Sequence, residues 1–166
     1  RQAYTGGATL AAAAAGATVT HVDASKGMVT WAKENAVSSG LKDAPIRWLV
    51  DDCVKFVERE IRRGNTYDAI IMDPPSYGRG PKGEIWKIED MIHPLIRLCA
   101  KILSEDALFF LVNSYTTGLA PAVLTYMIST ELKSWNGHVD SQEIGLPVTN
   151  SGLVLPCGAS GRWESR

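Results

Sequence analysis

The sequence predicts an α/β fold: a three-layer sandwich with helices on both faces of a mostly parallel sheet, closed by a C-terminal antiparallel hairpin. Two observations carry this. Helical and strand-like segments alternate almost throughout, the pattern of parallel strands joined by right-handed crossovers. The tail then breaks the alternation, with two strand-like runs separated only by the turn Asn150-Ser151-Gly152.

The elements follow in order. Residues 9–15 form an Ala-rich helix that Gly16 ends. Residues 19–22 are a short, largely β-branched strand. Ser25 is placed to N-cap a helix over 28–38, which stops near Gly40. Residues 46–50 read as a strand. Residues 54–62 read as an amphipathic helix with Val54, Val57 and Ile61 on one face. After the turn Gly64-Asn65, residues 67–72 are almost wholly apolar, the pattern of a strand buried on both faces, and run into Asp73-Pro74-Pro75. A helix over 88–103, a second doubly buried strand over 108–112, and a helix over 119–132 with Pro121 in its first turn come next. From His138 onward the chain is strand-like, through Ile144 and Val148 to Leu153-Val154-Leu155.

The 166 residues fit one domain, 1–166. A formal net charge of -1 excludes a strongly basic nucleic-acid binder, so any nucleic-acid affinity has to come from a local patch or from protein outside this stretch. Cys53, Cys99 and Cys157 are scattered, without the spacing of a disulfide framework or a zinc site. A reducing, cytoplasmic setting and no metal are expected. No apolar run reaches the ~20 residues needed to span a bilayer, so no membrane partner is expected. Arg1 to Gly7 opens directly on a glycine turn of the kind that follows a buried strand, and the expectation is that a first strand is missing. Nothing in the sequence assigns an oligomeric state.

In an open parallel sheet, ligands bind beyond the carboxyl ends of the strands, and four clusters fall there. Tyr4-Thr5-Gly6-Gly7 precedes the Ala-rich helix; glycines admit close backbone approach, and a helix N-terminus offers free N–H groups, although a plain turn has the same composition. Asp23 follows the strand over 19–22, at a spacing from the glycines that suits acceptance from ribose hydroxyls; the alternative is a cap on the next helix. Asp51-Asp52-Cys53 follows the strand over 46–50, where a carboxylate either accepts from an exocyclic amino group or caps the next helix. Asp73-Pro74-Pro75-Ser76-Tyr77 is the most specific cluster. Two prolines fix φ, remove two donors and force Asp73 out of helical geometry, giving a rigid corner with a carboxylate, outward carbonyls and an aromatic ring.

On these residues the chain resembles the class I S-adenosylmethionine-dependent methyltransferases. More narrowly, it is similar to the bacterial large-subunit (23S) ribosomal RNA methyltransferases that modify cytosine or guanine. Ala3-Tyr4-Thr5-Gly6-Gly7 is similar to their first cofactor loop, and His21-Val22-Asp23-Ala24-Ser25 to their ribose-binding strand end. Asp51-Asp52-Cys53-Val54 matches their adenine-side acid, and the stretch from Tyr67 through Asp73-Pro74-Pro75-Ser76-Tyr77 their catalytic strand and loop. The resemblance implies a Rossmann-like fold of seven strands with the last antiparallel, S-adenosylmethionine as cofactor, RNA as partner, and an upstream RNA-binding domain. It assigns Tyr4, Thr5, Gly6, Gly7, Asp23, Ala24, Ser25, Asp52, Cys53 and Asp73 to the cofactor, and Asp73, Pro74, Pro75 and Tyr77 to catalysis on a base held by stacking and edge hydrogen bonds. The segment from Gly78 to Lys87 adds Arg79, Lys82, Lys87 and Trp86 as a candidate phosphate-contacting, base-stacking loop, or equally a solvated surface loop.

One departure bears on the chemistry. Relatives that methylate carbon 5 of cytosine attack the ring with a cysteine, expected in the turn after the strand over 108–112; here that turn reads Asn113-Ser114-Tyr115-Thr116. A nitrogen target, which needs no covalent adduct, is the expectation, with Asn113 either orienting the base or ending the strand. His21 and His93 are expected to be structural or on the surface, and Trp31, Trp48 and Trp163 to be packing residues rather than stacking platforms. The rival readings are a DNA or other amino-group methyltransferase, a nicotinamide-dependent oxidoreductase, which would leave the Asp-Pro-Pro corner unexplained, and a non-catalytic RNA-binding module.

Overall fold

The structure, a computed structural model, describes residues 6–79, 83–116 and 118–166. It resolves into two compact units, Arg1–Arg62 and Arg63–Arg166, each described by itself. In the first, α1 (Gly7–Ala14), β1 (Val19–Asp23), α2 (Lys26–Ser38) and β2 (Ile46–Val50) alternate, and α3 (Cys53–Arg63) closes the unit, its last residue opening the second. β1 and β2 pair in parallel with Val19 opposite Ile46 and Asp23 opposite Val50. Ala13, Val29, Ala32, Ala36, Phe56 and Val57 form the buried apolar contacts. On α3 the buried face is wider than the valine spacing predicts: it takes in Phe56 and the fully buried Glu60 beside Val57, while Val54 and Ile61 are only half-buried.

The second unit holds β3 (Ala69–Met72), β4 (Tyr77–Arg79), β5 (Ile85–Lys87), α4 (Ile88–Ala100), β6 (Phe109–Ser114), α5 (Pro121–Glu131), β7 (Gly137–Pro147) and β8 (Val154–Ser165). Its main sheet has the order β3-β6-β8-β7: β3 is parallel to β6, and β8 is antiparallel to both β6 and β7. The expected C-terminal hairpin is therefore present and long, with 11 residues in β7 and 12 in β8. Gly152 turns it at φ +67°, a conformation that glycine adopts without a Cβ penalty. α5 lies on this sheet, where Leu124 and Ile128 cover Gly161 of β8. Phe110, Val112, Ile88, Ile92, Ile96, Leu132 and Trp163 complete the core.

The helices start and stop close to the sequence boundaries. Pro121 occupies the first turn of α5, as expected, and Pro94 is carried inside α4. Three expectations need correction. The strand expected over 67–72 begins at Ala69, Tyr67 making only an isolated bridge to Leu103. Neither apolar strand is buried on both faces. β3 is an edge of its sheet and Ile71 is 41% exposed; in β6, Phe110, Val112 and Ser114 are buried while the alternate residues are not, and Leu108 ahead of it is 59% exposed. The segment after Tyr77, read as a loop, is an antiparallel hairpin pairing Tyr77 with Lys87, Gly78 with Trp86 and Arg79 with Ile85. No helix among the described residues is long and apolar enough to cross a membrane.

Candidate active site

In the first unit, parallel pairing brings the ends of β1 and β2 together, so that Asp23 lies abreast of Val50 and its carbonyl accepts from the Asp51 amide at 3.1 Å. The three acids Asp23, Asp51 and Asp52 thus gather at one edge, and each also does local work. Asp23 Oδ1 accepts from the Ser25 amide at 2.7 Å. Ser25 N-caps α2, its Oγ accepting from the Met28 amide at 3.4 Å, and Ala24 sits in the tight link between the two. Asp52 Oδ1 accepts from the Lys55 amide at 3.0 Å, so Asp52 is the cap of α3. Asp51 pairs with the Arg59 guanidinium, whose hydrogen bond holds its carboxyl below the usual range against a smaller opposing effect of burial. The structure shows the local roles of Asp23 and Asp52; a carboxylate offers about four acceptor sites, so one bond does not exhaust either group.

The two described glycines of the first loop separate cleanly. Gly6 sits at the N-cap of α1 with φ +78°, and a Cβ there would stand 2.9 Å from Ala32 Cβ, so its glycine is required by the packing of α1 on α2. Gly7 meets nothing within 4 Å, so packing among the described residues does not demand the missing side chain. Among the described residues the start of α1 receives no side-chain cap bond. Tyr4 and Thr5 lie outside the described residues, as do Gly80, Pro81 and Lys82. Cys53 opens α3 as an exposed residue, and its thiol is pushed up to about 11 by desolvation and by the Asp52 and Asp51 charges, which keeps it protonated at neutral pH.

In the second unit, the register Met72 opposite Val112 sets Asp73 abreast of Asn113, at the carboxyl ends of two parallel strands. Asn113 Oδ1 accepts from Ser160 Oγ at 2.8 Å, so it ties β6 to β8. Beyond Asp73 the corner is tied on two sides: Trp86 Nε1 donates to the Pro75 carbonyl at 2.7 Å, and Thr116 Oγ1 donates to Ser76 Oγ at 2.6 Å. Tyr77 is 52% exposed, with its ring open for stacking and its hydroxyl accepting from Arg79 Nε at 3.1 Å. Tyr115 is the residue that sequence reasoning missed. Burial raises its phenol, and the Asp73 and Cys157 charges raise it further, so this donor stays protonated beside the corner. The signal was its place two residues past the strand position level with Asp73. Cys157 is half-buried and donates to the Ile144 carbonyl at 3.3 Å, and Cys99 is buried in α4.

The residues set aside as structural largely are. His21 is buried, with Nδ1 2.9 Å from Thr9 Oγ1 and its ring against Trp48; burial lowers its pKa, opposed by Asp23. His93 lies 2.9 Å from Glu131, which Arg97 also reaches. Trp163 is buried, but Trp31 is 49% exposed and does not belong to the core.

No family model matches the chain. Among curated proteins it is similar to a ribosomal RNA large subunit methyltransferase K of Neisseria meningitidis serogroup B, 30% identical over 113 residues, which is 67% of this chain and 32% of that protein. It is also similar to a ribosomal RNA large subunit methyltransferase K/L of Pseudoalteromonas atlantica, 37% identical over 103 residues, which is 61% of this chain and 14% of that protein. The chain thus spans only a minor part of these relatives. Among solved structures it is similar to a SAM-dependent methyltransferase of Agrobacterium tumefaciens, with a TM-score of 0.91 and 42% identity over 98% of this chain and 54% of that one. Sequence and fold together make the chain a class I S-adenosylmethionine-dependent methyltransferase, α/β and Rossmann-like, similar to the 23S ribosomal RNA methyltransferases.

Proposed function

We propose that residues 1–166 are the catalytic domain of an enzyme that transfers a methyl group from S-adenosylmethionine to a base of ribosomal RNA in the cytoplasm. The observation that carries this is the Asp73-Pro74-Pro75-Ser76-Tyr77 corner, a carboxylate at a parallel strand end braced by Trp86 and Thr116 with an open aromatic ring beside it. The similarity to named ribosomal RNA methyltransferases supports the substrate class.

The residues of the first unit fit the cofactor. In this reading Asp23 accepts from the ribose hydroxyls and Asp52 from the adenine amino group, each with the carboxylate capacity that its local bond leaves, and Ala24, Ser25 and Cys53 line the same strand ends. Tyr4, Thr5, Gly6 and Gly7 form the loop ahead of α1, where the open space at Gly7 and the uncapped helix start suit a carboxylate. The cofactor, when bound, supplies a methyl group on a sulfonium centre.

The protein's contribution is then alignment and electrostatics, since an in-line displacement gains most from fixed geometry. Asp73 and the corner's backbone hold the edge of the target base, Tyr77 stacks on its face, and Arg79, Lys82 and Lys87 contact phosphates. The half-buried Cys157 and the absence of cysteine from the turn after β6 favour a nitrogen target. The test is incubation of the full-length protein with unmodified ribosomal RNA and labelled cofactor, followed by nucleoside analysis. One labelled N-methyl base is expected. Label in no RNA, or retention of a nicotinamide dinucleotide instead of the cofactor, contradicts the reading.

A further inference from the structure

We propose that Trp86 is a positioning residue that sets the Asp-Pro-Pro corner for its target. This rests on the reading of that corner as the base-binding edge of the site.

The corner presents backbone acceptors at Pro75 and Ser76, and each already accepts a bond. Trp86 Nε1 donates to the Pro75 carbonyl at 2.7 Å, and the Ile88 amide donates to the Ser76 carbonyl at 3.1 Å. Both donors lie just across the β4–β5 hairpin, where Gly78 pairs with Trp86 and Tyr77 with Lys87. From the opposite side, Thr116, just past the end of β6, donates its hydroxyl to Ser76 Oγ at 2.6 Å. Two consequences follow. The Pro75 and Ser76 carbonyls each spend one of their two lone pairs on these bonds, which lowers their capacity to accept from the base edge and shifts that role towards Asp73 and the Pro74 carbonyl. The corner's geometry is also set by a hairpin rather than by the prolines alone: prolines fix φ but leave ψ at Pro75 free, and the indole bond fixes where that carbonyl points.

A buried or half-buried tryptophan N–H that finds a backbone carbonyl is a common structural bond. Three features set this one apart. Its acceptor lies two residues from the carboxylate, its own strand pairs with the residue after Tyr77, and Trp86 is only half-buried, so the core does not account for it. A displacement of about 1 Å at a reacting centre lowers turnover on the order of a hundredfold, so holding the corner has a kinetic consequence beyond stability.

The experiment compares Trp86→Phe, which keeps the ring and removes the donor, with the unaltered full-length protein. Methyl transfer to ribosomal RNA, S-adenosylhomocysteine binding, thermal melting and amide exchange at Ser76, Tyr77 and Gly78 are measured. The expected result is a kcat about ten- to a hundredfold lower with the KM for RNA and cofactor binding within about twofold, and faster exchange confined to those amides. A raised KM with unchanged kcat makes Trp86 a binding surface and overturns the proposal, as does wild-type exchange. If Trp86→Phe melts globally, Thr116→Val, which removes the opposite tie, carries the same comparison; unchanged kcat and exchange there also overturn it. If the unaltered protein methylates no RNA, the functional reading fails, and the exchange comparison alone decides whether Trp86 holds the corner.

Discussion

Asp51, Gly6 and Gly7 show how differently neighbouring residues of one cluster are constrained. The Arg59 guanidinium holds Asp51 below its ordinary range, so this carboxylate contributes stability above its unfolded pKa and loses it as pH falls through its depressed folded value. Arg59→Gln should return the Asp51 titration, followed by NMR, to the ordinary carboxylate range. The stability gap between variant and wild type should also narrow as the solution is acidified below that range. The glycines diverge in the same way. Gly6→Ala puts a Cβ 2.9 Å from Ala32 Cβ at a left-handed φ, and a loss of about 1–3 kcal/mol is expected in denaturant unfolding. Gly7→Ala meets nothing within 4 Å, so stability should hold while cofactor affinity falls; unchanged affinity would remove Gly7 from the binding loop. The sequence showed both glycines but not their division of labour, because that depends on where α2 packs.

At the scale of elements, periodicity located every helix and nearly every strand, since apolar spacing and caps such as Ser25 and Pro121 act locally. What periodicity could not supply was the neighbour. Ile71 and Leu108 sit in apolar runs yet are exposed, because a strand's second face is buried only if the topology covers it. The β4–β5 hairpin stayed hidden for a different reason: its strands are three residues each, and the Gly-Pro-Lys-Gly-Glu between them has loop composition. The long C-terminal hairpin was legible from its turn, and its packing makes a further prediction. A Cβ at Gly137 would lie 2.2 Å from Trp163 Nε1 and 2.4 Å from the Glu164 carbonyl. Gly137→Ala should therefore cost roughly 1–3 kcal/mol, read as a lower melting temperature, with transfer chemistry unaffected in the folded fraction.

At the scale of the whole molecule, each compact unit carries its own candidate cluster: the acids at the ends of β1 and β2 in one, the braced corner after β3 in the other. The acids were legible because parallel strands deliver their carboxyl ends to one edge, so residues following strands could be named from sequence. Tyr115, Thr116 and the bracing bond of Trp86 were not, since they come from through-space contacts between residues 11 to about 40 positions apart. Asp73→Asn should abolish detectable transfer while leaving melting within a few degrees.

The most direct measurement is calorimetric titration of S-adenosylhomocysteine into the full-length protein and its Asp23→Asn variant. The amide keeps an acceptor for the Ser25 N–H, so the turn before α2 survives while the charge is lost. The account predicts binding weakened at least about tenfold with an unchanged melting temperature, about the cost of one charged hydrogen bond. Equal affinity in the two proteins would contradict it.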